Sequence, residues 1–411
     1  MSEKISIIEG GVTAPKGYKA AATAAGIKYE GRTDMACVYS EVPAECAGTF
    51  TSNVVKAACV KWDMKITESG DKLQAVIVNS GIANACTGQE GFDACKATAE
   101  AAAEYMNVSA GSVAVASTGV IGMQLPVDKL VNGVKALSLK LDGSIEAGTE
   151  ASKAIMTTDT VNKEIAVSFS IGDTTVTLGG MSKGSGMIHP NMCTMLGFLT
   201  TDAAISKEML TKAIKSVVCD TFNMITVDGD TSTNDTLLIM ANGMAGNKEI
   251  ICEDSDYEVF YEALFYVCRF LARKMAGDGE GATALFEAKV INASSLEDAR
   301  LMARSVVGSN LSKAAIYGHD ANFGRFLCAM GYSGATFQEE DVELYFESTN
   351  GKLKVFDHGV PLAFDEEVAT SILSAPEVTI LINMNEGKAT ATAWGCDLTH
   401  KYVDINADYR S

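Results

Sequence analysis

"KGSGMIHPNMCTMLGFLTTD", Lys183 to Asp202, leads a glycine-rich approach through Cys193 and Thr194 into an apolar run that reads as a buried strand. Gly184 and Gly186 permit unusual backbone angles and Pro190 stiffens the approach. The run Met195–Leu199 fixes the strand that follows, so the Cys193–Thr194 peptide is placed to be held under strain. A threonine hydroxyl is a weak nucleophile, and one way to activate it is the residue's own α-amine, which exists only if the chain is cut just before it. Such an amine titrates near ~7.7–8.0, leaving roughly a tenth as free base at neutral pH, whereas a lysine near ~10.4 stays almost wholly protonated. An N-terminal Thr194 would thus carry nucleophile and base together, and before the cut its Oγ is positioned to attack the Cys193 carbonyl. A Cys-Thr pair is no motif, however, and the same residues also read as an ordinary strand threonine beside a glycine-rich turn.

The chain around this segment is 411 residues long, enough for two domains. Its 47% apolar, 21% charged and 7% aromatic residues, with only six prolines, belong to an ordered globular protein. A formal net charge of −19, with basic residues in isolated pairs such as Arg273-Lys274, disfavours nucleic acid and favours a small-molecule ligand. The N-terminus lacks the apolar core of a signal peptide and no apolar run reaches the ~18 residues of a membrane span, so a cytoplasmic protein is expected. Eleven scattered cysteines without a C-x-x-C pair suggest neither a disulfide framework nor a zinc site, and most are expected to be small buried hydrophobes.

Apolar runs at 72–81 and 111–122 end in Gly, Ser and Asn and alternate with helical stretches, the first at 91–107. A helix over 206–222 places Met209, Leu210, Ala213, Ile214, Val217 and Val218 on one stripe, while 257–277 is apolar nearly all round and reads as a central helix. The stretch 294–308 opens with a capping-box pattern, Ser294 with Glu297. Beyond it, "VELYFEST", "KLKVFDHG", "EVTILINMN" and "KATATAWGCDLT" carry strand alternation. The chain is therefore mixed α/β. No linker or repeat marks a boundary; a break near 128–155 or an interleaved pair of domains fits equally.

The common catalytic motifs are missing: G-x-S-x-G, H-E-x-x-H, a P-loop and G-x-G-x-x-G do not occur. The four histidines, His189, His319, His358 and His400, are isolated in sequence and read as structural or surface residues.

Six segments together resemble the ArgJ family, the ornithine acetyltransferases of arginine biosynthesis: "NSGIANACTG" (79–88), "ASTGVIG" (116–122), "IMTTDT" (155–160), "GGMSKGSGMIHPNMCTMLGFLTTDA" (179–203), "GDGEGAT" (277–283) and "WGCDLTHKYVDINADYRS" (394–411). They span essentially the whole chain in order. The resemblance implies a mixed-sheet sandwich flanked by helices, two interleaved domains and the ArgJ/DmpA-like self-cleaving fold. It implies a cut before Thr194, giving Met1–Cys193 as an α chain and Thr194–Ser411 as a β chain, with Thr194 as the nucleophile. Cys193 departs from the family's usual alanine; it contributes its carbonyl to the cut, so cleavage is expected to survive the change.

The remaining roles follow by the same resemblance. Thr118 and Gly119 match the oxyanion hole, through a hydroxyl and a backbone N–H, which acyl transfer needs where negative charge develops. Lys183, Thr157, Glu280, Asn406 and Ser411 match substrate contacts, Lys183 suiting a carboxylate and Glu280 the ammonium of ornithine. In "YGHDANFGR" (317–325), Ala321 and Phe323 replace the family's proline and tryptophan, a conservative repacking, and Ile82 stands where asparagine is common. Cys86, with no histidine nearby in sequence, is expected to be a buried structural thiol.

The implied reaction moves acetyl from N2-acetyl-L-ornithine to L-glutamate by a ping-pong acetyl-threonine mechanism, releasing ornithine and N-acetylglutamate without metal or organic cofactor. Some family members also accept acetyl-CoA, and the residues do not separate the two kinds. Paired αβ units, α2β2, are implied; no nucleic acid or membrane partner is. Two rivals stay open: a self-cleaving aminopeptidase or amidohydrolase, in which water completes the reaction, and an uncut amino-acid-binding α/β protein.

Overall fold

The computed structural model describes residues 5–189 and 195–408. The chain is mixed α/β and forms two compact units that interleave along the sequence. The described residues of the first fall within Met1–Gly184, Asn191–Cys219 and Thr231–Leu271; those of the second fall within Ser185–Pro190, Asp220–Asp230 and Ala272–Ser411. The stretch 128–155 lies inside the first unit, where it forms the helices Val127–Ser138 and Ile145–Ala154.

Among the described residues the first unit has nine strands: β1 (Ile5–Ile8), β2 (Tyr18–Thr23), β3 (Met35–Phe50), β4 (Leu73–Ile82), β5 (Val113–Val120), β6 (Lys163–Ile171), β7 (Thr174–Lys183), β8 (Leu196–Thr201) and β9 (Thr236–Ala241). Their order is β1-β6-β7-β8-β9-β3-β4-β5, with β2 also on β3; β8 with β9 and β4 with β5 are parallel, and the rest antiparallel. The 16-residue β3 joins the two halves, because Met35–Tyr39 pairs with β4 and Glu45–Phe50 with β9. Between them Glu41 and Pro43 are exposed, and proline offers no N–H to a ladder, so pairing breaks there and the sheet changes direction.

The bend lets the two halves share a core of Val38, Val76, Ala114, Met181, Phe198 and Leu238, all buried. On the outer face of β3, β4 and β5, the helices Ala58–Ser69, Gly88–Met106 and Val127–Ser138 close a second core through Cys59, Ala94, Cys95 and Val134. This is the helix-flanked sandwich that the sequence implies. The helix Lys207–Cys219 buries all six residues of its expected stripe.

Two expectations need correction. The helix Ser255–Gly277 buries one face only, through residues such as Phe260, Leu264, Val267 and Leu271, while Glu258, Glu262, Arg269 and Lys274 are exposed. Its half-buried aromatics, Tyr261, Phe265, Tyr266 and Phe270, gave it the look of an apolar cylinder. The cap at the start of Leu296–Gly308 is Ser295, not Ser294: extended at φ −138°, Ser295 accepts from the Asp298 amide at 3.0 Å, so the capping pair sits one residue later.

The second unit carries β10 (Leu285–Ala293), β11 (Glu343–Ser348), β12 (Gly351–Asp357), β13 (Val360–Pro361), β14 (Glu377–Asn383) and β15 (Ala389–Cys396), ordered β13-β12-β11-β14-β10-β15 with only β10 and β14 parallel among the described strands. Phe326 fills its core, with ring centroids 6.0 Å from Phe286 and 5.9 Å from Phe346. A Phe326→Ala change should cost about 3–5 kcal/mol in urea unfolding, and a loss under about 1 kcal/mol would show that these rings do not hold the unit.

Candidate active site

In the first unit, the end of β5 is shaped by a glycine that no other residue can replace. Gly119 has φ +133°, and a Cβ there would lie 2.2 Å from the Gly81 carbonyl carbon on the parallel neighbour β4. Pairing slips by one at Ile82, just beyond it. Buried amides tie down the strand ends: Asn79 donates to the Ile82 carbonyl and accepts from the Ser117 hydroxyl at 2.7 Å, and Asn234 donates to the carbonyls of Ser117 and Ala83. Gly119 is thereby fixed next to Thr118, a fixed backbone being what an oxyanion donor requires.

Lys183 ends β7, and its ammonium lies 2.9 Å from the Thr157 hydroxyl and 3.4 Å from the Thr118 hydroxyl. The three residues come from segments far apart in sequence and meet within hydrogen-bond reach. Behind them is Asp159, which the sequence did not single out although it sits inside "IMTTDT". Its carboxylate accepts from the buried Lys163 at 2.8 Å, from the Gly184 amide at 2.7 Å and from the Thr157 amide at 3.1 Å, and lies 3.8 Å from Lys183. Burial pushes this carboxyl up, but Lys183, Lys163 and the hydrogen bonds outweigh it and hold the group well below the usual carboxylate range. One ionised carboxylate therefore fixes both Thr157 and the chain leaving Lys183.

The second unit holds Glu280, buried, with its backbone N–H donating to the Ser185 carbonyl at 3.0 Å. Its carboxylate accepts from the Asn406 amide at 2.6 Å, and a Cβ on Gly186 would come within 2.5 Å of it, so a larger residue there would push the carboxylate aside. Asp228, also missed, accepts from the amides of Met187 and Ile188 at 2.6 and 2.9 Å and from the Tyr402 hydroxyl at 3.3 Å. His189 joins Thr226 at 3.0 Å, and burial followed by the nearby Arg304 lowers its pKa, which favours neutral imidazole. The chain at 185–189 and the helix His400–Ala407 are thus both fastened to the elements around Glu280.

Cys193, Thr194 and Ser411 lie outside the described residues. Cys86 is exposed rather than buried, because its left-handed backbone at φ 58° turns it away from the packed Asn84–Thr87 pair. Phe323 packs on Phe356 at 5.9 Å and Ala321 is buried, so the changed loop at 317–325 remains packed. Glu343, Asp357 and His358 are the one group among the described residues close enough to share a cation, but Lys354 already bonds both carboxylates.

Replacing Asp159 with alanine leaves two buried ammonium groups without this counter-charge. The expected cost is about 3–5 kcal/mol at neutral pH by urea unfolding. With its folded pKa depressed, the Asp159 contribution is present above the unfolded value near ~3.9 and is lost as pH falls through the folded value. A gap between wild type and variant that does not narrow on acidification would contradict this.

Comparison with known proteins agrees with the motifs. The sequence pattern of the ArgJ family matches residues 19–411. The chain is 48% identical over 407 residues to the arginine biosynthesis bifunctional protein ArgJ of Caldanaerobacter subterraneus, covering 99% of this chain and 100% of the relative. It is 50% identical over 397 residues to ArgJ 1 of Clostridium acetobutylicum, covering 96% of each. A solved ornithine acetyltransferase from Mycobacterium tuberculosis, complexed with ornithine, is 45% identical over 47% of this chain and 100% of its own, at a TM-score of 0.42.

Proposed function

The chain belongs to the ArgJ family, and from that premise we propose that it is a self-processing acyltransferase of arginine biosynthesis that carries acetyl on Thr194. The observation that supports this most is the meeting of Thr118, Thr157 and Lys183 beside a backbone-locked Gly119. A hydroxyl, a rigid N–H and an ammonium are the groups that acyl transfer to and from an amino acid needs.

The chain cuts itself between Cys193 and Thr194, and the new amine serves as base for the Thr194 hydroxyl. Oγ attacks the acetyl carbonyl of N2-acetyl-L-ornithine, and the Thr118 hydroxyl and Gly119 N–H receive the oxyanion. Ornithine leaves, taking the proton at its α-nitrogen, and the acetyl-threonine ester remains. The amine of L-glutamate then attacks that ester and departs as N-acetylglutamate. Lys183 and Thr157 bind the substrate α-carboxylate, and Glu280, oriented by Asn406, binds the ornithine ammonium. Ser411 completes the substrate contacts at the C-terminus. The active form is α2β2 in the cytoplasm.

Denaturing electrophoresis of purified protein should resolve Met1–Cys193 from Thr194–Ser411, and a Thr194→Ala chain should stay whole and inactive. Acetyl transfer by the uncut variant would overturn the nucleophile assignment. Thr118→Ala should lower kcat by roughly 10²–10³. Ornithine release beyond one equivalent per site should require glutamate; continued turnover that ignores glutamate would identify a hydrolase instead.

A further inference from the structure

The reaction proposed above asks for the binding of two unlike amino acids. N2-acetyl-L-ornithine carries one carboxylate and an ammonium, whereas L-glutamate carries two carboxylates. Lys183 and Thr157 suit the carboxylate that both share, and Glu280 suits the ammonium. A glutamate side chain needs a cation of its own, because like charges repel.

The first unit offers one. Arg32 lies in the loop between β2 and β3, and its exposed guanidinium donates through Nη2 to the Met156 carbonyl at 2.8 Å and to the Thr157 carbonyl at 3.2 Å. The base of that loop is fastened. Buried Asp34 accepts from the amides of Ala25 and Ile27 at 2.7 and 2.6 Å. Its own N–H donates to the Thr23 carbonyl at 3.1 Å, and its carbonyl accepts from the Ser80 amide at 2.9 Å. Lys28 lies against Gly81, where an added Cβ would come within 3.1 Å of the lysine Cβ. The loop thus borders both the glycine that backs Gly119 and the turn that bears Thr157.

No acid of the loop neutralises Arg32. Glu30 pairs with Lys129 at 3.0 Å, and both Asp34 oxygens are taken by amides. Among the described residues the guanidinium bonds only neutral carbonyls, through Nη2, which leaves Nε and Nη1 to a ligand. In a chain of net charge −19, two peptide carbonyls aim this arginine without supplying a counter-charge.

A single residue links it to Lys183. Arg32 holds the Thr157 carbonyl, while the Lys183 ammonium lies 2.9 Å from the Thr157 hydroxyl. The two carboxyl carbons of glutamate are four bonds apart, at most about 5 Å, and a charge-assisted hydrogen bond adds about 2.8 Å at each end. One dianion can therefore reach both cations. Ornithine, with an ammonium at its far end, gains nothing from the arginine.

We propose that Arg32 is a specificity-determining residue for the acceptor, binding the side-chain carboxylate of glutamate. The inference rests on the reading that glutamate takes the acetyl group.

In a ping-pong reaction kcat/KM for one substrate is independent of the other, so the two half-reactions report separately. Wild-type, Arg32→Gln and Arg32→Lys enzymes are assayed with N2-acetyl-L-ornithine as donor and with glutamate or glutamine as acceptor, with thermal unfolding of the same samples. Arg32→Gln should lower kcat/KM for glutamate by about 10–100-fold, leave that for acetylornithine within about threefold, and erase the preference for glutamate over glutamine. Arg32→Lys keeps the charge and should restore part of both the rate and the preference. If Arg32 only braces the Thr157 turn, Arg32→Gln lowers both kcat/KM values together and the glutamate-to-glutamine ratio stays as in wild type. That result overturns the proposal, as does an unchanged kcat/KM for glutamate. A wild-type enzyme that uses glutamine as well as glutamate also overturns it, whether or not the variants fold. Wild-type turnover that ignores both acceptors removes the acceptor reading itself, and this inference with it.

Discussion

One buried carboxylate holds the first unit's candidate chemistry in place. Asp159 accepts from Lys163, from the Gly184 amide and from the Thr157 amide, and stands 3.8 Å from Lys183. Both lysines belong to the hairpin of β6 and β7, Lys163 opening one strand and Lys183 closing the other. The carboxylate therefore fastens the open end of that hairpin to the turn that bears Thr157. Two ammonium groups buried so deeply need such a partner, because an uncompensated buried charge is far more costly than a broken surface pair. Remove it, and the Lys183 ammonium loses the buried counter-charge behind Thr118 and Thr157.

A second constraint is made of backbone alone. Gly119 has no room for a Cβ against Gly81, and Asn79 and Asn234 hold the carbonyls around it. An oxyanion donor that need not reorganise is worth more than one that must, and this end of β5 has little freedom to move. Asp159 and Asp235 show how burial sorts carboxyls in one unit. The first has cations and amides about it that hold its pKa down; burial outweighs such groups at the second and pushes its pKa up.

Much of this was legible in the sequence, for identifiable reasons. The stripe Met209 to Val218 follows the helical period and is buried as expected, and the strands of the second half alternate as strands do. Thr118, Thr157 and Lys183 were recognisable through family motifs, while nothing in their spacing announces that they meet. Asp159 escaped notice because an aspartate between threonines reads as a solvated turn, and only the tertiary fold brings Lys163 and Gly184 to it. Asp235 sits in the polar run "TSTNDT" for the same reason, and its burial comes from the pairing of β8 with β9. The bend in β3 has a visible proline, but its effect depends on which strands flank it. Aromatics at Tyr261, Phe265, Tyr266 and Phe270 hid the one-sidedness of their helix, since hydrophobicity alone does not say which aromatic is half exposed.

The chemistry turns on whether acetyl passes through a covalent ester on the residue that begins the second chain. Intact mass spectrometry of the purified protein, before and after mixing with N2-acetyl-L-ornithine in the absence of glutamate, measures this directly. The chain Thr194–Ser411 should gain the mass of one acetyl group, located on its N-terminal peptide and removed when glutamate is added. No gain, or an acetyl group on the chain Met1–Cys193, would contradict an acetyl-threonine mechanism.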